Sequence, residues 1–323
     1  MSILVTGGLG YIGSHISKLI NQEDLIIIDN LSNSKINHKE FFPKSRVIID
    51  EINKDSLNFI FKSYDVKKVI HLAGLKSVKE SVDDPLKFYQ NNVITTINLL
   101  ESMDKFNINE LIFSSSAAVY GNLYNSPLNE KLHTNSINPY GETKIINENM
   151  IINYANSNHN FSAIILRYFN PIGAHASFKM LDNSIDQASN LMTLIIDAIK
   201  NDKILYIYGN DYPTRDGTCI RDYIHVIDLA EIHLISLKHL TKFKGHEIFN
   251  IGMGNGLSVL ELIEIFEKTN NVKIKYQFTE RRPGDPSESY ASNEKTTKVL
   301  NWTPKLSYTD MCRDAWYASN IQQ

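Results

Sequence analysis

Along the first half of the chain, apolar residues come in short unbroken runs. Longer stretches separate them, in which apolar residues recur every three to four positions. The runs 3–6, 25–29, 46–50, 69–73, 111–115 and 163–167 read as strands, and 10–21, 56–63, 85–103 and 140–155 carry helical periodicity. Strands without polar alternation are buried on both faces, which predicts a parallel sheet covered by helices on each side. The expected fold class is therefore α/β, a doubly wound Rossmann-like sheet. After Phe169 the rhythm changes. Segment 171–189 is polar and irregular, 190–201, 226–240 and 259–269 read as helices, 204–208 and 272–278 as strands, and 212–221 and 280–289 as loops. This half reads as a smaller α+β region, giving an expected division at 1–170 and 171–323, with 226–240 a candidate to return onto the first half.

The 323 residues are 42% hydrophobic and 21% charged, an ordinary globular balance that excludes long disorder, collagen and coiled coil. A formal charge of −3 leaves no basic field for nucleic acid or an acidic membrane. Cys219 and Cys312 lie too far apart to form a disulfide framework or a zinc site, and so fit a reducing compartment. No apolar run reaches the roughly 18 residues a membrane span needs. The N-terminus lacks the basic and long apolar regions of a signal peptide. The histidines show no ligand-like spacing. These features predict a cytoplasmic enzyme without a metal, a nucleic-acid partner or a membrane anchor.

The first strand runs into Gly7-Gly8-Leu9-Gly10-Tyr11-Ile12-Gly13, and a helix follows. Glycines there allow a tight turn and close backbone approach to a pyrophosphate, at which the helix N-terminus points N–H groups. A second strand ends in Asp29, 22 residues after Gly7, near the spacing of an acid that binds the adenosine ribose. Such an acid repels a 2′-phosphate, so the loop predicts NAD over NADP.

Pro139-Tyr140-Gly141-Glu142-Thr143-Lys144 opens a later helix, and Tyr140 and Lys144 share one face of it. A phenol is a poor base at neutral pH, but a nearby ammonium favours the phenolate. The pair is thus suited to removing a hydroxyl proton while hydride leaves the same carbon. Ser114-Ser115-Ser116 closes a strand, and α/β folds bind ligands at the carboxyl ends of strands. Ser116 is the expected partner of Tyr140.

These residues resemble the extended short-chain dehydrogenase/reductase family and, within it, the UDP-galactose (UDP-glucose) 4-epimerases. Further blocks carry the resemblance over nearly the whole chain: Asp29 to Ser34, His71 to Lys76, Asn91-Asn92-Val93, Leu166 to Pro171, Gly209 to Thr214, Arg221 to Val226 and Arg281 to Asp285. It implies that Gly7, Gly10, Tyr11, Ile12 and Gly13 hold the NAD pyrophosphate. Asp29, Asn30, Asn33 and Ser34 would line the adenosine end, and Leu72, Ala73, Lys76, Asn91 and Phe169 the nicotinamide side. Ser116 and Tyr140 would be catalytic, with Lys144 tuning Tyr140 and binding NAD. Ser116, Tyr140, Asn170, Asn190, Leu191, Tyr208, Arg221, Tyr223, Arg282 and Asp285 would grip a UDP-sugar. The chemistry agrees: Arg221 and Arg282 offer forked donors for a diphosphate, Tyr208 a ring for uracil, and Asp285 an acceptor for ribose hydroxyls. A homodimer is also implied.

Three departures from the family pattern stand out. Asp50-Glu51-Ile52 replaces the usual Gly-Asp-Ile, which puts Glu51 and Ile52 at the adenine. Segment 182–189 lacks the usual Gly, Pro and paired Asn. Ser289 stands where hexose-restricted members carry a bulky Tyr, which predicts room for an N-acetyl group beside sugar C2. The expected reaction is C4 epimerisation of UDP-hexoses through a 4-keto sugar, UDP-galactose to and from UDP-glucose. UDP-N-acetylhexosamines are an additional or alternative substrate. The rivals are a nucleotide-sugar dehydratase, a simple reductase and a non-catalytic NAD-binding protein. Ala117-Ala118 after Ser116 supplies no acid for dehydration, and the last rival could dispense with both Tyr140 and Lys144.

Overall fold

The structure, a computed structural model, describes residues 2–34, 37–175, 190–282 and 284–321. The strands of the first half are β1 (Ser2–Thr6), β2 (Leu25–Asp29), β3 (Arg46–Ile49), β4 (Val66–His71), β5 (Glu110–Ser116) and β6 (Ser162–Tyr168). Those that follow are β7 (Asn170–Ile172), β8 (Leu205–Tyr208), β9 (Ile220–Arg221), β10 (Tyr223–His225), β11 (Gly245–Ile251), β12 (Leu257–Ser258), β13 (Tyr276–Thr279) and β14 (Glu288–Ser289). Seven of them form one parallel sheet in the order β11-β6-β5-β4-β1-β2-β3. The order reverses between β1 and β4, which opens a crevice at their carboxyl ends.

The sequence explains this layering. β2 reads Leu-Ile-Ile-Ile-Asp and every residue is buried, as a central strand covered on both faces requires. On one face Ile16, Leu229, Ile232 and Trp302 join the core. On the other, Leu57, Ile60, Leu99, Met103 and Ile151 do. The helix Val226–His239 packs on Tyr11–Leu19, so the chain recrosses position 170 to complete the first-half layers.

Three elements differ from expectation. The sheet gains β11, whose Gly-His-Glu-Ile-Phe-Asn-Ile mixes polar and apolar positions because it forms the sheet edge. The stretch read as one helix over 85–103 is Pro85–Phe88, then a π-helical turn Tyr89–Ile94, then Thr95–Lys105. The wider turn seats Asn92 inward, where it is buried. The strand expected over 272–278 begins only at Tyr276. In the second half, Ile195, Ile207, Tyr223, Leu262, Phe266 and Met311 form a separate apolar core.

Several histidines are buried without charge. Burial lowers His71 to about 3, and His15 and His233 to about 4. Below pH 6.5 the unfolded chain therefore binds protons that the folded chain refuses, so stability falls with pH. Each such histidine contributes about 1.4 kcal/mol per pH unit over that range. Asp222, raised to about 7 by burial, acts in the opposite direction and offsets one of them. The urea midpoint is expected to drop clearly between pH 7 and pH 5. A flat midpoint over that interval would contradict the neutral burial of these rings.

Candidate active site

The glycine loop leads from β1 into the helix Tyr11–Leu19, whose N-cap is Gly10 with no side chain to cap it. A Cβ on Gly13 would stand 2.1 Å from the Gly7 carbonyl oxygen, so only glycine permits this tight loop. At the end of β2, Asp29 accepts hydrogen bonds from the Leu9 N–H (3.0 Å) and the Leu31 N–H (2.9 Å). Its carboxyl is buried, which raises its pKa against these backbone donors. Beside it, Ser34 Oγ donates to the Leu9 carbonyl (2.6 Å), and Asn30 Nδ2 donates to Glu51 Oε1 (3.1 Å). Asn33 is half-buried in the same loop. Glu51 thus lies beside the end of β2, and Ile52 is buried in the apolar core beneath the sheet.

Past β4, the Leu72 and Ala73 N–H groups both donate to Thr6 Oγ1 (3.2 and 3.3 Å), which turns this loop toward the glycine loop. Lys76 is exposed and Asn91 half-buried. Asn92, which the sequence reading passed over, fixes the geometry here. Its Oδ1 accepts from the Leu75 N–H (2.7 Å), while its Nδ2 donates to the Leu75 carbonyl (3.0 Å) and to Thr143 Oγ1 (3.1 Å). One buried amide therefore joins the loop after β4 to the helix that carries Tyr140. The uncapped helix start, the glycine cradle and the acid at the end of β2 together fit a dinucleotide.

Asn138 caps the helix Pro139–Ser157 by accepting from the Gly141 N–H (2.8 Å), with Pro139 in the first turn. A Cβ at Gly141 would stand 2.8 Å from the Ala118 carbonyl oxygen. The missing side chain lets the helix start lie against the turn after β5. Ser116 lies beside the Tyr140 phenol there, close enough to favour its ionised form, and its Oγ accepts from the Ala118 N–H (3.2 Å). Lys144 Nζ donates to the Ser114 carbonyl (2.8 Å) and lies 5.9 Å from the centre of the Tyr140 ring.

The electrostatics differ from expectation. The Tyr140 phenol is pushed up by burial, with Ser116 opposing, rather than pulled down by lysine. Burial also lowers Lys144, to about 8, against the pull of Glu148. The Lys144 ammonium is committed to the Ser114 carbonyl, and the dry site penalises the phenolate. Phe169 is buried nearby in a small cluster with Val119, Tyr120 and Ile145.

The second half brings further predicted residues together. Arg221 Nη2 pairs with Asp285 Oδ1 at 3.1 Å. Arg282 lies 4.0 Å over the Tyr208 ring, so the ring expected to stack on uracil already carries a guanidinium on one face. Ser289 pairs with Arg221 across β14 and β9. Asn170 is exposed on β7. Asn190 caps the helix Leu191–Lys200, accepting from the Met192 N–H (3.0 Å) and donating to the Pro171 carbonyl (3.2 Å). Leu191 is half-buried on that helix.

Tyr223 lies in the second apolar core, 3% exposed. Its neighbour Asp222 was the informative residue of that motif. Its carboxylate accepts from the Met253 (2.6 Å), Gly254 (3.0 Å) and Ala291 (3.0 Å) N–H groups and fastens the loops after β11 and β14 beside Arg221. The atypical segment 182–189 lies outside the described residues. Among those residues no cluster of three or more His, Cys, Asp or Glu is arranged to hold a metal ion.

The NAD dependent epimerase/dehydratase family model matches residues 3–252. A UDP-glucose 4-epimerase of Bacillus subtilis (strain 168) is 40% identical over 332 residues, covering 99% of this chain and 98% of its own. A crystal structure of UDP-glucose 4-epimerase from Stenotrophomonas maltophila, with bound NAD and formylated UDP-arabinopyranose, matches 100% of this chain and 99% of that one. Its TM-score is 0.94 and its identity 36%. The Bifidobacterium longum UDP-glucose 4-epimerase in complex with NAD+ and UDP gives a TM-score of 0.93 at 35% identity, over 99% of this chain and 98% of that one. Matched by the family model over most of its length, and by such relatives over nearly all of it, the chain belongs to the NAD dependent epimerase/dehydratase family.

Proposed function

We propose that the chain is an NAD-dependent 4-epimerase of UDP-hexoses that interconverts UDP-galactose and UDP-glucose. The observation that carries this is the convergence of Ser116, Tyr140 and Lys144 beside the glycine loop, at the carboxyl edge of the sheet. Gly7, Gly10, Tyr11 and Gly13 would cradle the NAD pyrophosphate and Asp29 its ribose. NAD supplies a reversible hydride acceptor and a positive ring that favours the Tyr140 phenolate. Tyr140 takes the sugar O4 proton and later returns it, with Ser116 holding the same oxygen. Lys144 keeps a positive charge below the phenol. Arg221, Arg282 and Asp285 hold the uridine diphosphate, so a loosely bound 4-keto sugar can present either face.

The nucleotide half is read as 1–170 and the sugar half as 171–323, with 226–251 returning to the first-half sheet. The free, buried Cys219 and Cys312 support a reducing, cytoplasmic setting. Ser289 beside Arg221 supports a pocket that also admits UDP-N-acetylhexosamines.

Exposed Val78, Val82, Leu86, Ile94 and Ile97 on consecutive helical segments support a homodimer through this face. Light scattering is expected to give a dimer that Val82→Asp/Leu86→Asp converts to monomer. A monomeric parent protein would end that reading.

Turnover is read by NMR with UDP-galactose and with UDP-N-acetylgalactosamine. Tyr140→Phe is expected to lower kcat at least about 100-fold on either sugar, with the melting temperature unchanged. Retention of more than a tenth of the activity would remove Tyr140 from the mechanism. Ser289→Tyr is expected to abolish the N-acetyl reaction alone. No N-acetyl turnover by the parent protein would discard the wide pocket.

A further inference from the structure

Tyr140, Lys144 and Glu148 follow one another at four-residue intervals on one helix face. Each meets one of the last three residues of β5. Tyr140 lies beside Ser116, Lys144 Nζ donates to the Ser114 carbonyl, and Glu148 Oε1 accepts from Ser115 Oγ. Glu148 is also gripped by Arg167 of β6, whose Nε donates to Oε1 (3.0 Å) and Nη2 to Oε2 (2.6 Å). Arg167 Nη1 donates to Tyr120 Oη (2.9 Å), and Tyr120 donates to Asn250 Oδ1 (2.7 Å) on β11. Both members of the ion pair are buried, at 3% and 4% side-chain exposure.

A buried pair of this kind is weak evidence for stability, because desolvation consumes most of its Coulombic gain. Its position suggests another role. The carboxylate lies one helix turn beyond Lys144, in a region where charge is poorly screened. The other groups about Lys144 are Tyr140 on the same helix, neutral His71 of β4 and the Phe113 ring, 5.0 Å from Nζ. Among these described neighbours Glu148 is the negative charge, and its attraction opposes the effect of burial on the lysine.

We propose that Glu148, locked by Arg167 and Ser115, is a positioning residue that fixes the Tyr140 helix against β5 and holds the Lys144 ammonium beneath Tyr140. The proposal rests on the 4-epimerase reading of Tyr140 and Lys144 and assigns a role to the layer below them. Removing Glu148 alone would strand Arg167, so the test removes both charges together. Glu148→Gln/Arg167→Met does so, and Glu148→Gln/Arg167→Gln is a second route if the first fails to fold.

The titration of Lys144 is followed by NMR of 13C-labelled lysine, assigned by the signal lost in Lys144→Met. The pH dependence of kcat on UDP-galactose is measured alongside. In the neutral-pair variant the lysine midpoint and the alkaline limb of kcat are both expected to fall by about one pH unit. At pH 8 kcat should drop about fivefold, approaching tenfold at higher pH, while KM changes less than about twofold. Glu148→Asp, which keeps the charge, should restore the limb. An unmoved lysine midpoint and limb would overturn the proposal and leave the pair a purely structural element. Absence of turnover by the parent protein would instead overturn the epimerase reading, and the lysine titration would still decide the role of Glu148.

Discussion

The close approach of the Pro139–Ser157 helix to the carboxyl end of β5 is the constraint on which the site depends. Gly141 permits it, because any side chain would strike the Ala118 carbonyl. Asn138 starts the helix at the right residue, and Asn92 ties it to the loop after β4. With the helix seated, Tyr140 meets Ser116 and Lys144 meets the Ser114 carbonyl. The same strand end faces the glycine loop across the crevice where the sheet order reverses.

That seating has an electrostatic cost. Burial raises the phenol, against Ser116, and lowers the ammonium, against Glu148. The protein supplies orientation, a dry pocket and one buried cation. In the proposed reaction a positively charged nicotinamide ring would add to the stabilisation of a Tyr140 phenolate.

What the sequence made legible was mostly local. The turn from β1 through Gly7 to Gly13, the acid closing β2 and the four-residue spacing of Tyr140 and Lys144 are short-range patterns with direct chemical meaning. The doubly wound sheet followed from apolar runs that needed cover on both faces. Features set by distant partners were not legible. β11 mixes polar and apolar residues because it lies at the sheet edge, and the π-helical turn keeps a helix-like pattern while rotating Asn92 inward. The burial of Tyr223 in the second core and the anchoring of the loops after β11 and β14 by its neighbour Asp222 depend on contacts distant in sequence. The stacking of Arg282 on Tyr208 and the Glu148–Arg167 pair join residues far apart in sequence.

The central claim is that oxidation and reduction occur at one sugar carbon within one closed site. UDP-galactose deuterated at C4, incubated with the purified protein and no added cofactor, tests it most directly. The account predicts UDP-glucose that retains deuterium at C4. Loss of the label to water during conversion, or no conversion even after NAD is supplied, would contradict it.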